Sequence, residues 1–133
     1  MGTPESKVKQ KVMKYLKEMD TYHFYPVTGG YGKSGVPDIV GCYQGMFFGL
    51  ECKAGKNKPT PLQEKNLKDI RDAGGVALVI NEENVDDVVR LIQDYITYNT
   101  QTRELVSGSA ASSLGAVFTH KEMVNRRKND KQK

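Results

Sequence analysis

The sequence predicts an α/β fold, a central mixed β-sheet flanked by helices, and three stretches carry that expectation. Residues 39–43 and 46–50 are apolar runs rich in β-branched and aromatic side chains, parted by the polar pair Gln44-Gly45. That is the pattern of a hairpin with a two-residue turn. Residues 62–73 have helical spacing and stop at Gly74-Gly75, after which residues 76–80 form an unbroken apolar run. A strand buried on both faces and reached through a helix is the mark of a parallel crossover. Finally, Thr3-Pro4-Glu5 opens the chain as a helix does, with a cap, a proline at the first helical position and an acid in the first turn.

In the first helix Val8, Val12, Tyr15, Leu16 and Met19 recur at helical spacing. Glu5 precedes Val8 by three and Val12 by seven positions and so shares their side. It serves there either as a partner of the helix dipole or as part of a site. Lys7, Lys9, Lys11, Lys14 and Lys17 mostly decorate the remainder. Residues 21–27 (TYHFYPV) read as a strand, with Pro26 placing it at an edge or ending it, and with His23 packed inside it. The Gly-rich stretch 28–36 is a loop and not a phosphate loop, because Val27 occupies the place of the first glycine.

If Gln44 and Gly45 form the hairpin turn, Tyr43 pairs with Met46 and Asp38 lies opposite Glu51. Lys53, two residues on, projects from the same face, and Cys52 points the other way. A bulge at Gly41 or Gly49 would shift this register. Residues 54–61 form a loop carrying Lys56 and Lys58, and Thr60-Pro61 repeats the cap-then-proline start, with Gln63 in the first turn of the helix. Asn81 or Asn84 caps a last helix whose apolar face is Val85, Val88, Val89, Ile92, Tyr95 and Ile96.

The expected organisation is a domain over residues 1–98, a flexible linker over 99–118 around the small-residue stretch 107–116, and a basic tail over 119–133. In that tail Thr119 to Glu122 fits a capping box for a short helix, and His120 has no ligand role. The chain of 133 residues carries a net charge of +4. Residues 1–71 hold 12 Lys/Arg against 7 Asp/Glu, residues 72–119 hold 2 against 7, and residues 120–133 hold 6 against 2. Basic regions thus flank an acidic one, as expected if a polyanion approaches the first. No apolar run reaches the ~20 residues that span a bilayer, and there is no signal-peptide core. Cys42 and Cys52 fall on opposite faces of the hairpin, which predicts neither a disulfide nor a cysteine metal site but a reduced, cytoplasmic chain. Two distant histidines and the lack of Cys/His ligand spacing disfavour a zinc hydrolase, and no motif supports a Ser-His-Asp arrangement.

The run Gly35-Val36-Pro37-Asp38, followed by Glu51-Cys52-Lys53, resembles the PD-(D/E)XK nuclease signature. The G-x-PD start, with Gln63 ten residues after Lys53, resembles the VRR-NUC branch of those nucleases, and the likeness covers residues 4–80. It implies a restriction-endonuclease-like core and a stand-alone, virus-type replication-repair nuclease, of viral or phage origin. It further implies Mg²⁺ or Mn²⁺ held by Asp38, Glu51 and the Cys52 backbone carbonyl, with Glu5 contributing through water or to a second ion. Carboxylates suit such hard cations. Lys53 would orient water or stabilise developing charge, and Gln63 would help arrange the site. Tyr31 and Lys33 are placed to touch nucleic acid.

The implied activity is metal-dependent, structure-selective cleavage of branched DNA such as Holliday junctions. A flap or single-strand nuclease, a nickase, or an inactive DNA-binding module of the same fold are the alternatives. A homodimer is expected, pairing through Tyr22, Phe24 and Tyr25 on an edge strand, with no organic cofactor and no membrane partner.

Overall fold

Four strands and three helices make up the computed structural model, which describes residues 2–27 and 32–107. Tyr31, residues 108–118 of the expected linker and the tail 119–133 lie outside the described residues. Helix α1 (Pro4–Glu18) starts as its sequence requires: Thr3 is the N-cap, its hydroxyl accepting from the Ser6 N–H at 3.1 Å, and Pro4 takes the first turn. Val8, Val12 and Leu16 are its buried stripe, and α1 packs on the sheet's third strand.

The sheet runs in the order β1 (Tyr22–Phe24), β2 (Ile39–Tyr43), β3 (Met46–Cys52), β4 (Val76–Ile80). β1, β2 and β3 are antiparallel neighbours, and β4 joins β3 in parallel, so the sheet is mixed as predicted. The hairpin register is also the predicted one, from Tyr43 opposite Met46 through to Ile39 opposite Leu50. Gln44 (φ 51°) and Gly45 (φ 79°) both have positive φ, the type I′ geometry that matches strand twist. Neither Gly41 nor Gly49 forms a bulge. Gly41 answers to a close approach instead, since a Cβ there would collide with the Tyr22 carbonyl and the Phe48 ring. β1 is shorter than the expected strand because β2 begins at Ile39, beside Phe24's partner Val40, and Pro26 has no N–H to extend the ladder.

Helix α2 (Pro61–Asp72) is the crossover between β3 and β4 and packs on both. It opens on a full capping box: Thr60 Oγ1 accepts from the Gln63 N–H at 3.2 Å, and Gln63 Oε1 accepts from the Thr60 N–H at 2.9 Å. It closes on a Schellman motif, the Gly75 N–H bonding the Ile70 carbonyl and the Gly74 N–H the Arg71 carbonyl, both at 2.9 Å. Thr60→Ala should therefore lower stability by about 1 kcal/mol, read in a urea melt.

After β4, Asn81 and Asn84 cap each other and not a helix end. Asn81 Oδ1 accepts from the Glu83 N–H at 2.9 Å, and Asn84 Oδ1 from the Asn81 N–H at 2.8 Å. A 3-10 turn (Val85–Asp87) then leads into α3 (Val88–Ser107). This helix continues through residues 99–107, where the sequence suggests linker; no glycine or proline interrupts residues 85–107, and nothing else there stops a helix. The unit that contains the sheet ends at Thr100. Its largest fully buried side chains include Phe48, Leu16, Ile39, Leu50, Leu67, Ile80 and Ile92. Among the described residues Glu51 is the one charged side chain in that core.

Candidate active site

The open end of the β2–β3 hairpin gathers four of the side chains singled out from the sequence. One step beyond the pair Ile39–Leu50, Asp38 meets β3 through its side chain, its Oδ2 accepting from the Cys52 N–H at 2.8 Å. Lys53 N–H, the next along, donates to the Ile80 carbonyl of β4 at 2.9 Å. Successive residues of a strand offer their backbone groups to opposite edges, and each residue's N–H and C=O share an edge. The Cys52 carbonyl therefore turns towards the side where Asp38 lies.

Glu51 is 1% exposed, and its Oε2 has no hydrogen-bond partner. Its Oε1 lies 3.6 Å from Lys53 Nζ, which is also 3.7 Å from Glu5 Oε1. Burial pushes the Glu51 carboxyl up, the adjacent Asp38 charge pushes it further, and Lys53 only partly offsets them, so its pKa reaches about 7. The Cys52 thiol is raised to about 12, by burial first and then by Asp38 and Glu51. It stays protonated, as a small apolar side chain would. Both cysteines are free, Cys42 exposed and Cys52 buried.

Gln63 is placed differently. Its carboxamide closes the capping box of α2, bonding the Thr60 backbone and neither acid. His23 packs locally, its Nδ1 2.7 Å from Thr21 Oγ1. Lys33 is exposed in the loop before Pro37.

Three residues enter the neighbourhood that sequence reasoning missed. Lys9 Nζ stands 3.3 Å from Asp38 Oδ1. Burial works against its ammonium, but Asp38 and then Glu5 outweigh that, and its pKa is raised. The available signal was spacing: Lys9 is four residues after Glu5, one helical turn along the same side. The Tyr25 hydroxyl is also raised, by burial and then by Cys52, with Lys9 opposing and Asp38 adding. Nothing in its local sequence signals that. Asn66, buried in α2, donates to the Ser34 carbonyl at 3.2 Å and the Leu62 carbonyl at 2.9 Å. Beside it Gly35 has φ 77°, and a Cβ there would press on Leu62 and Asn66. This anchor fixes the chain three residues before Asp38.

Among the described residues no group of three or more His, Cys, Asp or Glu side chains is arranged to hold a metal. A two-carboxylate arrangement nevertheless fits a hard divalent cation. Two acids face each other, one is buried with an unpartnered oxygen, and the donors are all oxygen. Mg²⁺ needs few protein ligands because it keeps several waters. An isolated buried carboxylate is costly without a counter-charge, and a cation supplies one.

A mixed sheet flanked by helices, with paired acids and a lysine gathered at a hairpin end, is an α/β core with its polar cluster at one end of the sheet. The fold is that of the VRR_NUC domain. One solved structure, described as a VRR_NUC domain, is similar with a TM-score of 0.57 at 20% identity, over 67% of this chain and 97% of that one. A second, described as a VRR_NUC domain protein, has a TM-score of 0.54 at 24% identity, over 73% of this chain and 91% of its own. No protein-family model matches the sequence, and no curated protein matches it significantly. Among the described residues no helix is long and apolar enough to cross a membrane.

Proposed function

We propose that the chain is a VRR-NUC nuclease, a Mg²⁺- or Mn²⁺-dependent endonuclease acting on branched DNA. The observation that carries this reading is the buried Glu51 carboxylate, with an oxygen left unpartnered, set against Asp38 and beside Lys53. A fold gains nothing from such a group by itself. Asp38, Glu51 and the Cys52 carbonyl would hold the cation, with Glu5 reaching it through water or serving a second ion. When bound, the cation polarises the phosphate and makes water a nucleophile at neutral pH. Lys53, only 13% exposed and shared between Glu5 and Glu51, would stabilise the negative charge that grows on the phosphoryl oxygens. Flanked by carboxylates, its ammonium would work as an electrostatic support. Gln63 serves by fixing the start of α2 beside the site.

Preference for four-way junctions is proposed together with a homodimer. A junction is cut on two strands at related positions, and a two-fold dimer offers two sites of opposed polarity. The surface that supports this is β1, an edge strand on which Tyr22 is 75% exposed, with Phe24 and the following Tyr25 nearly half exposed. Tyr22 and Phe24 pack edge to face, 6.0 Å apart, so the patch is preformed.

The test is a cleavage panel over labelled duplex, flap, fork and four-way junction with Mg²⁺, Mn²⁺ or EDTA, alongside sedimentation of the free protein and its junction complex. The expected result is metal-dependent cutting, junction before duplex, by a dimer, with DNA affinity falling steeply with salt. Equal cutting of duplex and junction by a monomer would remove the junction reading and keep the nuclease; binding without any cutting would favour the idle DNA-binding module.

A further inference from the structure

The ion pairs at the hairpin end are unevenly shared. Lys53 divides itself between Glu5 and Glu51, at 3.7 and 3.6 Å, which leaves Lys9 as the ammonium on Asp38, at 3.3 Å. The two oxygens of Asp38 are also unequal. Oδ2 is committed to the Cys52 N–H at 2.8 Å, so Oδ1 is the oxygen with most freedom to take a cation, and Oδ1 is the atom that Lys9 holds. The lysine side chain is 33% exposed and the aspartate 21%, so the pair is partly shielded and yet open to exchange. Lys9 enters from α1, whereas Asp38 and Glu51 belong to the hairpin, so its ammonium can withdraw along the helix surface without unpairing a strand.

We infer that Lys9 is a positioning residue which holds Asp38 in the metal-free chain and competes with the divalent cation for Asp38 Oδ1. This rests on the metal-site reading above. Its physical content is simple: an ammonium and a divalent cation repel each other at one carboxylate oxygen, so each weakens the binding of the other. Lys9 thus keeps the acid aimed when no metal is present and sets the metal affinity low, so that the cation is readily exchanged.

The experiment measures Mn²⁺ binding to the full chain by calorimetry, with free Mn²⁺ counted by its paramagnetic resonance, and does not use cleavage. Lys9→Met keeps the aliphatic stem and removes the charge; it should bind Mn²⁺ about three- to tenfold more tightly than the unsubstituted chain, the range expected for losing a partly shielded ion-pair competitor. Lys9→Arg should stay near the starting affinity. Lys11→Met removes one charge from the same helix at a pair with Asp86 (2.9 Å), away from Asp38, and should move the affinity less than twofold. Unchanged or weaker binding in Lys9→Met, or a gain matched by Lys11→Met, overturns the inference. Asp38→Asn separates the two levels. If it weakens Mn²⁺ binding while Lys9→Met changes nothing, the metal site stands and the competition is wrong; if the unsubstituted chain takes up no Mn²⁺, both fall. Should Lys9→Met fold poorly, Lys9→Gln supplies the same loss of charge.

Discussion

Glu51→Ala and Asp38→Asn should each remove metal-dependent DNA cleavage, by about a thousandfold or more, because each deletes one of two carboxylates on which a cation's placement depends. Asparagine can still accept the Cys52 N–H bond that holds Asp38 in place, so Asp38→Asn isolates charge from shape. Lys53→Ala should cost about a hundred- to a thousandfold, the scale of losing one donor aimed at developing negative charge. Glu5→Gln should cost less, since Glu5 is a third exposed and meets the site through Lys53. Circular dichroism and junction binding in EDTA should stay close to those of the unsubstituted chain. The decisive measurement is single-turnover cleavage of the junction with Mg²⁺ by repurified protein. Full activity in Glu51→Ala would overturn the site.

The hairpin and the crossover were legible because local signals agreed. Gln44-Gly45 can only turn in one way between two apolar runs, and that turn fixes the register that brings Asp38 to Glu51. Thr60-Pro61 and Gly74-Gly75 likewise bracket α2 to within a residue. What the sequence hid depends on neighbours far along the chain. Lys9 looks like any of the lysines on α1 until the helix is laid on β3, and Cys52 and Asp38, which raise the Tyr25 hydroxyl, lie far from it along the chain. Gln63 shows the opposite case. Its position after the lysine suggests a role beside the acids, while its side chain is occupied with the Thr60 backbone, a contact that its place three residues after the cap already encodes. The 3-10 start of α3 was obscured because two asparagines compete for one turn, and their side chains bond each other's backbone.

Glu51→Gln should stabilise the metal-free protein at alkaline pH while destroying its activity. The folded chain raises this carboxyl from 4.5 to about 7, mainly by burying it and then by facing it with Asp38. Between those two values the folded state holds a proton that the unfolded chain has released. The unfolded state is therefore the one favoured as pH rises, and stability contributed by this group is full below about pH 4.5, falls through the window, and levels off above about pH 7. The loss amounts to roughly 3 kcal/mol by the usual conversion of a pKa shift. Glutamine cannot ionise, so in EDTA its stability should part from that of the unsubstituted chain across the window, reaching roughly 3 kcal/mol in its favour at pH 8 and converging near pH 4.5. Urea melts of both proteins at pH 4.5, 6 and 8 give the difference. Saturating Mn²⁺ should then reverse the order at pH 8, because a cation that binds only the folded state stabilises the chain that still has its carboxylate. Parallel pH profiles for the two proteins would mean that Glu51 is not the strained acid of this fold. A gap that opens with pH and closes with Mn²⁺ would locate the cost of the site in one carboxylate, kept charged for a cation and not for the fold.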